Sequence, residues 1–127
     1  MRYIYYNPNP RGATTGDCVI RAICKATGDS WDDVYTGLSF QGFAMKDMPS
    51  ANHVWGEYLR SKGFVRKAIP NTCPHCVTVG QFATENNRGT YILGTGTHVV
   101  TVVDGVVYDS WDSSDEVPIY YYRKRGY

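Results

Sequence analysis

Two runs of mostly β-branched residues joined by an Asp-Gly pair constrain the fold of this 127-residue chain more than any other feature. The runs cover residues 97–103 and 106–111, and Asp104 and Gly105 lie between them. Asp-Gly is a preferred pair for a two-residue type I′ turn, in which both central residues take positive φ. The pattern therefore predicts a β-hairpin with Asp104 and Gly105 at its turn. In this register, the two residue numbers of each opposed pair sum to 209.

This register places a histidine and a carboxylate on one face of the hairpin. It opposes His98 to Trp111 and Val100 to Asp109, and side chains on one face of a strand recur at every second residue. His98 and Asp109 are then one diagonal step apart, which suits a hydrogen bond that orients the imidazole ring. Trp111 would exclude water beside them, and Asp112 would point away. A histidine at the start of a strand is often a packing residue, so a catalytic function requires a third group.

The third group is predicted at the start of an amphipathic helix. Asp17 is a suitable N-cap residue and Gly28 a suitable C-terminal stop, because glycine readily takes the left-handed conformation there. Cys18 would lie in the first helical turn, where unpaired N–H groups and the helix dipole favour a thiolate. The apolar stripe of this helix consists of Ile20, Ile23, Cys24 and Thr27.

Length, charge and cysteine usage limit the classes of function. A chain of this size builds one core, so we predict a single domain over 1–127, helical at about 13–63 and mainly β, with one short helix, at about 64–127. The formal charge of +1 provides no basic field for nucleic acid. No secretory signal or membrane-length apolar run is visible, which predicts a cytoplasmic protein without a membrane partner. In that reducing compartment, cysteines are expected as thiols.

The remaining patterns complete an α+β prediction, with helices first and an antiparallel sheet last. His53 is expected on the surface of the third helix. Thr78 and Gln81 fit a capping box at the start of the short fourth helix. The other predicted elements are an edge strand at 1–6, a helix from Ser30 to about Leu38, a loop over Phe40–Met48, a helix from about Ser50 to Gly63, and strands at Phe64–Ile69, Thr90–Leu93 and Val117–Tyr122.

Together, Cys18, His98 and Asp109 supply the three groups that cysteine hydrolysis needs. These are a thiolate, an imidazole that activates it and later protonates the leaving group, and a polar group that fixes the imidazole tautomer. Each residue also has a simpler interpretation. Cys18 would be a small buried hydrophobic residue, as Cys24 is expected to be, and Asp109 would end a strand.

These residues resemble a reduced papain-like cysteine peptidase. The resemblance rests on Gly-Asp-Cys opening an apolar helix, His-Val-Val leading a strand, and Asp109-Ser110-Trp111 on the next strand. Papain-type enzymes have Asn-Ser-Trp at the last position, and compact relatives such as C39-like bacteriocin-processing peptidases use Asp there. The similarity covers the Cys18 helix and about residues 90–111. Small papain-like proteins of bacteria and their phages are also similar, which implies the cytoplasm of a bacterial or phage-infected cell.

The resemblance implies roles for the site residues. Cys18 would be the nucleophile, His98 the general base and acid, Asp109 the orienting group, and Trp111 the shield of the Asp109–His98 hydrogen bond. The expected reaction is acyl transfer from a peptide or protein substrate through a thioester, without a cofactor. Acyl transferases and transglutaminases use the same residues in the same order, so the acyl acceptor stays open.

One position departs from the papain pattern. The family usually has Gln six residues before the cysteine as an oxyanion donor, whereas this chain has Gly12. Asn9, Asn7 or Thr15 would have to replace it, together with the backbone N–H of Cys18. Loss of one such donor typically lowers the rate by about 10²–10³. A weakly active or inactive scaffold that only binds a partner is therefore an alternative.

Two further features were candidates for function. Cys73 and Cys76 form a Cys-x-x-Cys pair that suits half of a zinc site or a redox dithiol. Zinc would need further ligands, to be recruited from His53, His75 or Cys24. Separately, aromatic residues near the predicted groove would line substrate pockets, although Trp55 is better explained by core packing; they are Phe40, Phe43 and Trp55.

Overall fold

A computed structural model describes residues 2–125 and has an α+β fold. Within these residues, four helices accompany a six-stranded mixed sheet of order β1-β5-β4-β3-β6-β2. No helix in this range combines the length and apolar character needed to cross a membrane. The helices are α1 (Cys18–Thr27), α2 (Trp31–Met45), α3 (Asn52–Ser61) and α4 (Val79–Glu85), and the strands are β1 (Arg2–Tyr5), β2 (Phe64–Ala68), β3 (Thr90–Gly94), β4 (Val99–Val103), β5 (Val106–Asp109) and β6 (Tyr120–Lys124).

The predicted hairpin is present in β4 and β5. Asp104 and Gly105 have φ values of 49° and 79°, as a type I′ turn requires. Thr101 pairs with Tyr108, so the predicted register is confirmed. A local turn signal therefore fixed the relative position of the two strands that flank it.

The prediction of a wholly antiparallel sheet is wrong at one edge. β1 is an edge strand, as expected, but it runs parallel to β5. The N–H of Tyr6 continues this pairing by donating to the carbonyl oxygen of Asp109 over 2.8 Å. Almost the whole chain separates these two strands, and local residue patterns carry no signal for such a distant pairing. Met1, at the start of the predicted strand, lies outside the described residues.

Helices cover both faces of the sheet. α1, α2 and α3 pack on one face, and α4 packs on the other. Side chains of β4 alternate between the two faces of the sheet. Val99 packs in the cluster beneath α1, α2 and α3, whereas Val100 and Val102 pack in the cluster beneath α4. The largest fully buried side chains include Trp55, Phe64, Ile23, Leu59, Ile92 and Leu93.

Helix α2 continues through residues that we predicted as a loop. It ends at Met45 rather than near Leu38, although Gly37 and Gly42 lie within it. A Cβ at Gly37 would meet the ring of Tyr58, and one at Gly42 would meet the carbonyl oxygen of Asp47. These glycines therefore permit close packing instead of ending the helix.

Most residues that were predicted to begin or end the other helices and strands do so. Gly28 follows α1 with φ 81°, and Thr78 and Gln81 form a reciprocal capping box on α4. The side chain of Ser30 accepts a hydrogen bond from the N–H of Asp33 at the start of α2. The last strand begins at Tyr120 instead of Val117, which is consistent with the missing N–H of Pro118.

A glycine on β3 leaves space for an aromatic ring. Gly94 lies opposite Tyr120 in β6, and an added Cβ would overlap the Tyr120 ring. We expect Gly94→Ala to lower the free energy of unfolding by about 1–3 kcal/mol, the usual cost of overpacking a core. Gly16→Ala is the matched control, since a Cβ there has no neighbour within 4 Å. Urea unfolding of both variants measures the difference, and equal stabilities would contradict the packing role.

Candidate active site

The start of α1 delivers the Cys18 sulfur to the edge of the hairpin. Helix α1 packs on β4, and the Thr101 hydroxyl donates a buried 2.6 Å hydrogen bond to the carbonyl oxygen of Ala22. Cys18 is the first residue of the helix and is partly exposed. Part of this residue is therefore open to solvent.

The structure brings His98 between Cys18 and Asp109. His98 Nε2 lies 2.6 Å from Asp109 Oδ2, so the orienting hydrogen bond predicted from the hairpin is present. The Cys18 thiol is a hydrogen-bond partner of the imidazole and also of the Val99 backbone N–H. Because Nε2 faces the Asp109 carboxylate, Nδ1 is the ring nitrogen that is left to hydrogen-bond with the Cys18 sulfur.

These contacts favour a thiolate beside an imidazolium. Burial alone raises the pKa of Cys18, but the hydrogen bonds from His98 and Val99 outweigh it and hold the pKa below the usual thiol value. Burial alone lowers the pKa of His98, but its bonds to Asp109 and Cys18 reverse this effect and raise it to about 9. Near neutral pH, the His98 ring is therefore protonated.

Asp109 is completely enclosed and well supplied with donors. Its side chain is 1% exposed. Oδ2 accepts from His98 and, over 2.6 Å, from the Ser113 hydroxyl. Oδ1 accepts from the Ser110 N–H at 2.8 Å and from Arg21 at 3.1 Å. Burial opposes ionisation of Asp109, but the bonds from His98 and Ser113 prevail, so its pKa lies below the normal value.

A buried arginine that was not predicted from the sequence extends the site. Arg21 is 5% exposed and contacts Asp17 Oδ1 at 2.9 Å as well as Asp109 Oδ1. Asp17 is the N-cap residue by position, but its side chain does not cap the helix. Instead it accepts from Arg21 and, over 2.9 Å, from Trp31 Nε1.

Two spacings could have revealed this arginine. Asp17 and Arg21 are four residues apart, the spacing of an ion pair on one helix face. Arg21 also lies three residues after Cys18, which puts both on the side of α1 that faces the hairpin. Ser113 carried no such signal, because it lies in an irregular acidic segment.

Trp111 covers the imidazole as expected from the hairpin. Its ring centroid lies 4.9 Å from that of His98, at an interplanar angle of 41°. The residue is 47% exposed, so one side of the indole faces solvent while the other contacts His98. Trp111 therefore limits the access of water to the His98–Asp109 hydrogen bond.

The candidate oxyanion donors lie in the loop before α1. The amide of Asn7 donates to the carbonyl oxygen of Ala13, and Oδ1 of Asn9 accepts from the N–H of Arg11. Thr15 is exposed. The first N–H groups of a helix lack intrahelical partners, so the Cys18 N–H is the donor that the fold itself supplies beside the sulfur.

The expectation of four free thiols is wrong for the Cys-x-x-Cys pair. Cys73 and Cys76 form a disulfide, whereas Cys18 and Cys24 are free. The two sulfurs bond to each other because the pair lies within one tight loop, with Cα atoms 4.5 Å apart. In this state neither sulfur is a thiolate ligand, and residues 2–125 contain no cluster of three or more metal-binding side chains. Cys24 is buried, and burial raises its pKa to about 12.

The aromatic residues that were predicted to line substrate pockets differ in their exposure. Trp55 is 1% exposed and belongs to the core, as expected. Phe40 and Phe43 are exposed on α2. A cavity of about 230 Å³ instead adjoins Gly16 and Asp17, immediately before Cys18; its apolar lining consists of Val19, Ile20, Tyr35, Leu38 and Pro49. His53 is exposed and lies 2.7 Å from Asp47.

No family model, curated protein or solved structure matches this chain. The geometry of the site is therefore the basis for its function. That geometry combines a partly exposed sulfur of lowered pKa, an imidazole, and a buried carboxylate that orients it. Such a combination is suited to nucleophilic attack on an electrophilic carbon.

Proposed function

We propose that this chain is a papain-like cysteine hydrolase that cleaves peptide or isopeptide bonds through a thioester. The observation that carries the proposal is the meeting of Cys18, His98 and Asp109, which come from one helix start and two strands. The hydrogen bond of Cys18 with His98, which favours a thiolate, explains why Cys18 would react in preference to Cys24. The resemblance in residue order and the Trp111 cover support the same class.

The proposed reaction divides acyl transfer into two steps. The Cys18 thiolate attacks the carbonyl carbon of the substrate. The carbonyl oxygen of the substrate then gains negative charge near the Cys18 N–H. His98 then gives its proton to the departing amine as the carbon–nitrogen bond breaks, which leaves a thioester. In the second step His98 removes a proton from water, and the resulting hydroxide releases the acid and restores the thiolate. Asp109 keeps the ring oriented throughout.

The cavity beside Gly16 provides a site for one substrate side chain. Its lining is mainly apolar, with Val19, Ile20 and Leu38 among its residues. A pocket of this character selects aliphatic or aromatic groups, since burial of apolar surface provides the binding energy. We therefore propose an unfolded or extended peptide segment with a large apolar residue near the scissile bond as substrate.

Alkylation by iodoacetamide tests whether Cys18 is a privileged thiol. We expect wild-type protein and Cys24→Ala to be labelled rapidly at neutral pH, and Cys18→Ala to lose this rapid labelling. The physical reason is that Cys18 is partly exposed and has a lowered pKa, while Cys24 is 2% exposed and has a pKa of about 12. Intact-mass spectrometry measures the extent of labelling with time.

Equal labelling of the two cysteine variants would contradict the proposal. A peptide-library cleavage screen then tests turnover, with Cys18→Ala as the matched inactive control. Rapid labelling of Cys18 without cleavage of any peptide would instead support a scaffold that binds peptides and does not hydrolyse them.

A further inference from the structure

The edge strand β2 carries main-chain groups that are free to pair with another strand. β2 is the last strand of the sheet and pairs with β6 alone among the described strands. The carbonyl oxygen of Gly63 accepts from Arg125, and the N–H of Ile69 donates to Ile119. Both bonds point toward the β6 side of the strand.

The direction of the other groups follows from strand geometry. In an antiparallel pair, the N–H and C=O groups of alternate residues point to opposite sides. Residues 63, 65, 67 and 69 therefore face β6, and Phe64, Arg66 and Ala68 face the open edge. Phe64 is buried, but Arg66 and Ala68 are exposed. The accessible edge thus consists of the N–H and C=O groups of these two residues.

A groove lies next to this open edge, between α3 and β2. Its volume is about 530 Å³, and its apolar floor is formed by Trp55, Phe64, Tyr120 and Tyr122. An added strand would place every second side chain on the helix-bearing face of the sheet, where the groove is. The groove therefore provides space for an apolar side chain of that strand.

The charges around the groove favour an acidic partner. Three arginines line it, namely Arg60, Arg66 and Arg125, against the single acid Glu57. Arg60 and Glu57 pair with each other, which leaves the excess positive charge on Arg66 and Arg125. The Arg66 guanidinium lies 4.5 Å from the centre of the Tyr120 ring, so this charge is held over the aromatic floor.

We propose that β2 and the adjacent groove bind an extended acidic peptide as an additional strand. Backbone hydrogen bonds to Arg66 and Ala68 provide affinity, while the groove and Arg66 select alternating apolar and acidic side chains. Cys18 is not among the residues that line the groove, and this binding does not depend on the proposed hydrolysis. Such a surface would hold an extended acidic segment of a partner protein.

Fluorescence anisotropy with a synthetic peptide tests this inference. The probe is a fluorescein-labelled hexapeptide of alternating glutamate and valine, and its partner peptide has lysine in place of glutamate. All measurements use the Cys18→Ala background, so that cleavage at the proposed active site cannot remove the probe. We expect the glutamate peptide to bind more tightly than the lysine peptide, and its affinity to fall as sodium chloride is added.

Two substitutions address charge and backbone separately. Arg66→Glu is expected to weaken binding by at least about tenfold through charge repulsion. Ala68→Pro removes an outward N–H without removing a bond to β6, and is expected to weaken binding by about fivefold. Arg2→Glu is the matched control, since it reverses an exposed charge on β1 at the opposite edge. Circular dichroism establishes that each variant is folded.

Three results would overturn the inference. The first is equal affinity for the glutamate and lysine peptides. The second is an affinity for the glutamate peptide that neither Arg66→Glu nor Ala68→Pro changes. The third is a loss of affinity in Arg2→Glu as large as the loss in Arg66→Glu. A dimer in sedimentation that Ala68→Pro dissociates would also overturn it, because the edge would then be occupied by a second copy of the chain. Rapid labelling of Cys18 in a separate Arg66→Glu variant that retains Cys18 keeps this test distinct from that of the proposed hydrolase.

Discussion

At pH 6, replacing His98 with alanine is expected to slow the alkylation of Cys18 by at least about tenfold. An ordinary thiol with a pKa of about 8.5 is ionised to only about one part in 300 at this pH. In the wild-type protein, the hydrogen bond and charge of His98 hold the pKa of Cys18 below its usual value. Removal of the imidazole leaves burial, which raises that pKa, as the largest influence.

The sign of the pH dependence follows from the two shifts. The thiolate–imidazolium pair exists above the lowered pKa of Cys18 and below the raised pKa of His98, about 9. Peptide hydrolysis should therefore fall at acidic pH, as the sulfur gains a proton. It should also fall as pH rises through about 9, because His98 then has no proton for the leaving amine.

A second histidine provides the control for this prediction. His53 is exposed and lies beside Asp47, so His53→Ala removes a histidine near a carboxylate outside the site. We expect its alkylation rates at pH 6 and pH 8 to match those of the wild type. Stopped-flow measurement with iodoacetamide compares the variants. A wild-type rate at pH 6 as low as that of His98→Ala would show that the imidazole does not activate Cys18.

Replacing Arg21 with methionine is expected to lower the free energy of unfolding by about 3–5 kcal/mol, the usual cost of removing one partner from a buried ion pair. Arg21 bridges Asp17 and Asp109, and all three residues are at most 6% exposed. Methionine preserves much of the side-chain length but leaves both carboxylates without their shared cation. Chemical denaturation of the two proteins at neutral pH measures the change.

Arg60→Met is the matched control, because it removes an arginine from an ion pair that is exposed to solvent. Arg60 pairs with Glu57 on the surface of α3, where water and salt screen the charges. We expect this variant to unfold at the same denaturant concentration as the wild type. Equal losses in Arg21→Met and Arg60→Met would contradict the buried bridge. The Arg21 variant should also alkylate Cys18 more slowly at pH 6, since it loses a positive charge near the sulfur.

The parts of the site that the sequence could predict are those encoded locally. Asp104 and Gly105 define the turn, and the turn fixes the register that joins His98 to Asp109. Cys18 at a helix start was likewise visible from the apolar stripe and from Gly28. By contrast, the approach of Cys18 to His98 spans 80 residues and depends on how α1 packs on β4. The chemical need for a nucleophile and the resemblance in residue order suggested it, but no local pattern specified it.

The errors arose where tertiary packing overrides local preference. Residues Phe40–Met48 were predicted as a loop, but α2 continues to Met45, and close contacts with Tyr58 and Asp47 account for Gly37 and Gly42 within it. The parallel pairing of β1 with β5 was similarly invisible, because edge strands in either direction have the same alternation. For Cys73 and Cys76, the assumed reducing compartment obscured a disulfide that their short separation permits.

The strand order has a consequence for the sequence of events during biosynthesis. β6, the last strand in chain order, lies inside the sheet and joins β3 to β2. β2 and the helix that precedes it thus leave the ribosome well before their neighbouring strand exists. In a nascent chain that stops short of Tyr120, β2 would lack its strand partner while β1, β5, β4 and β3 form the rest of the sheet, and insertion of β6 joins β2 to them.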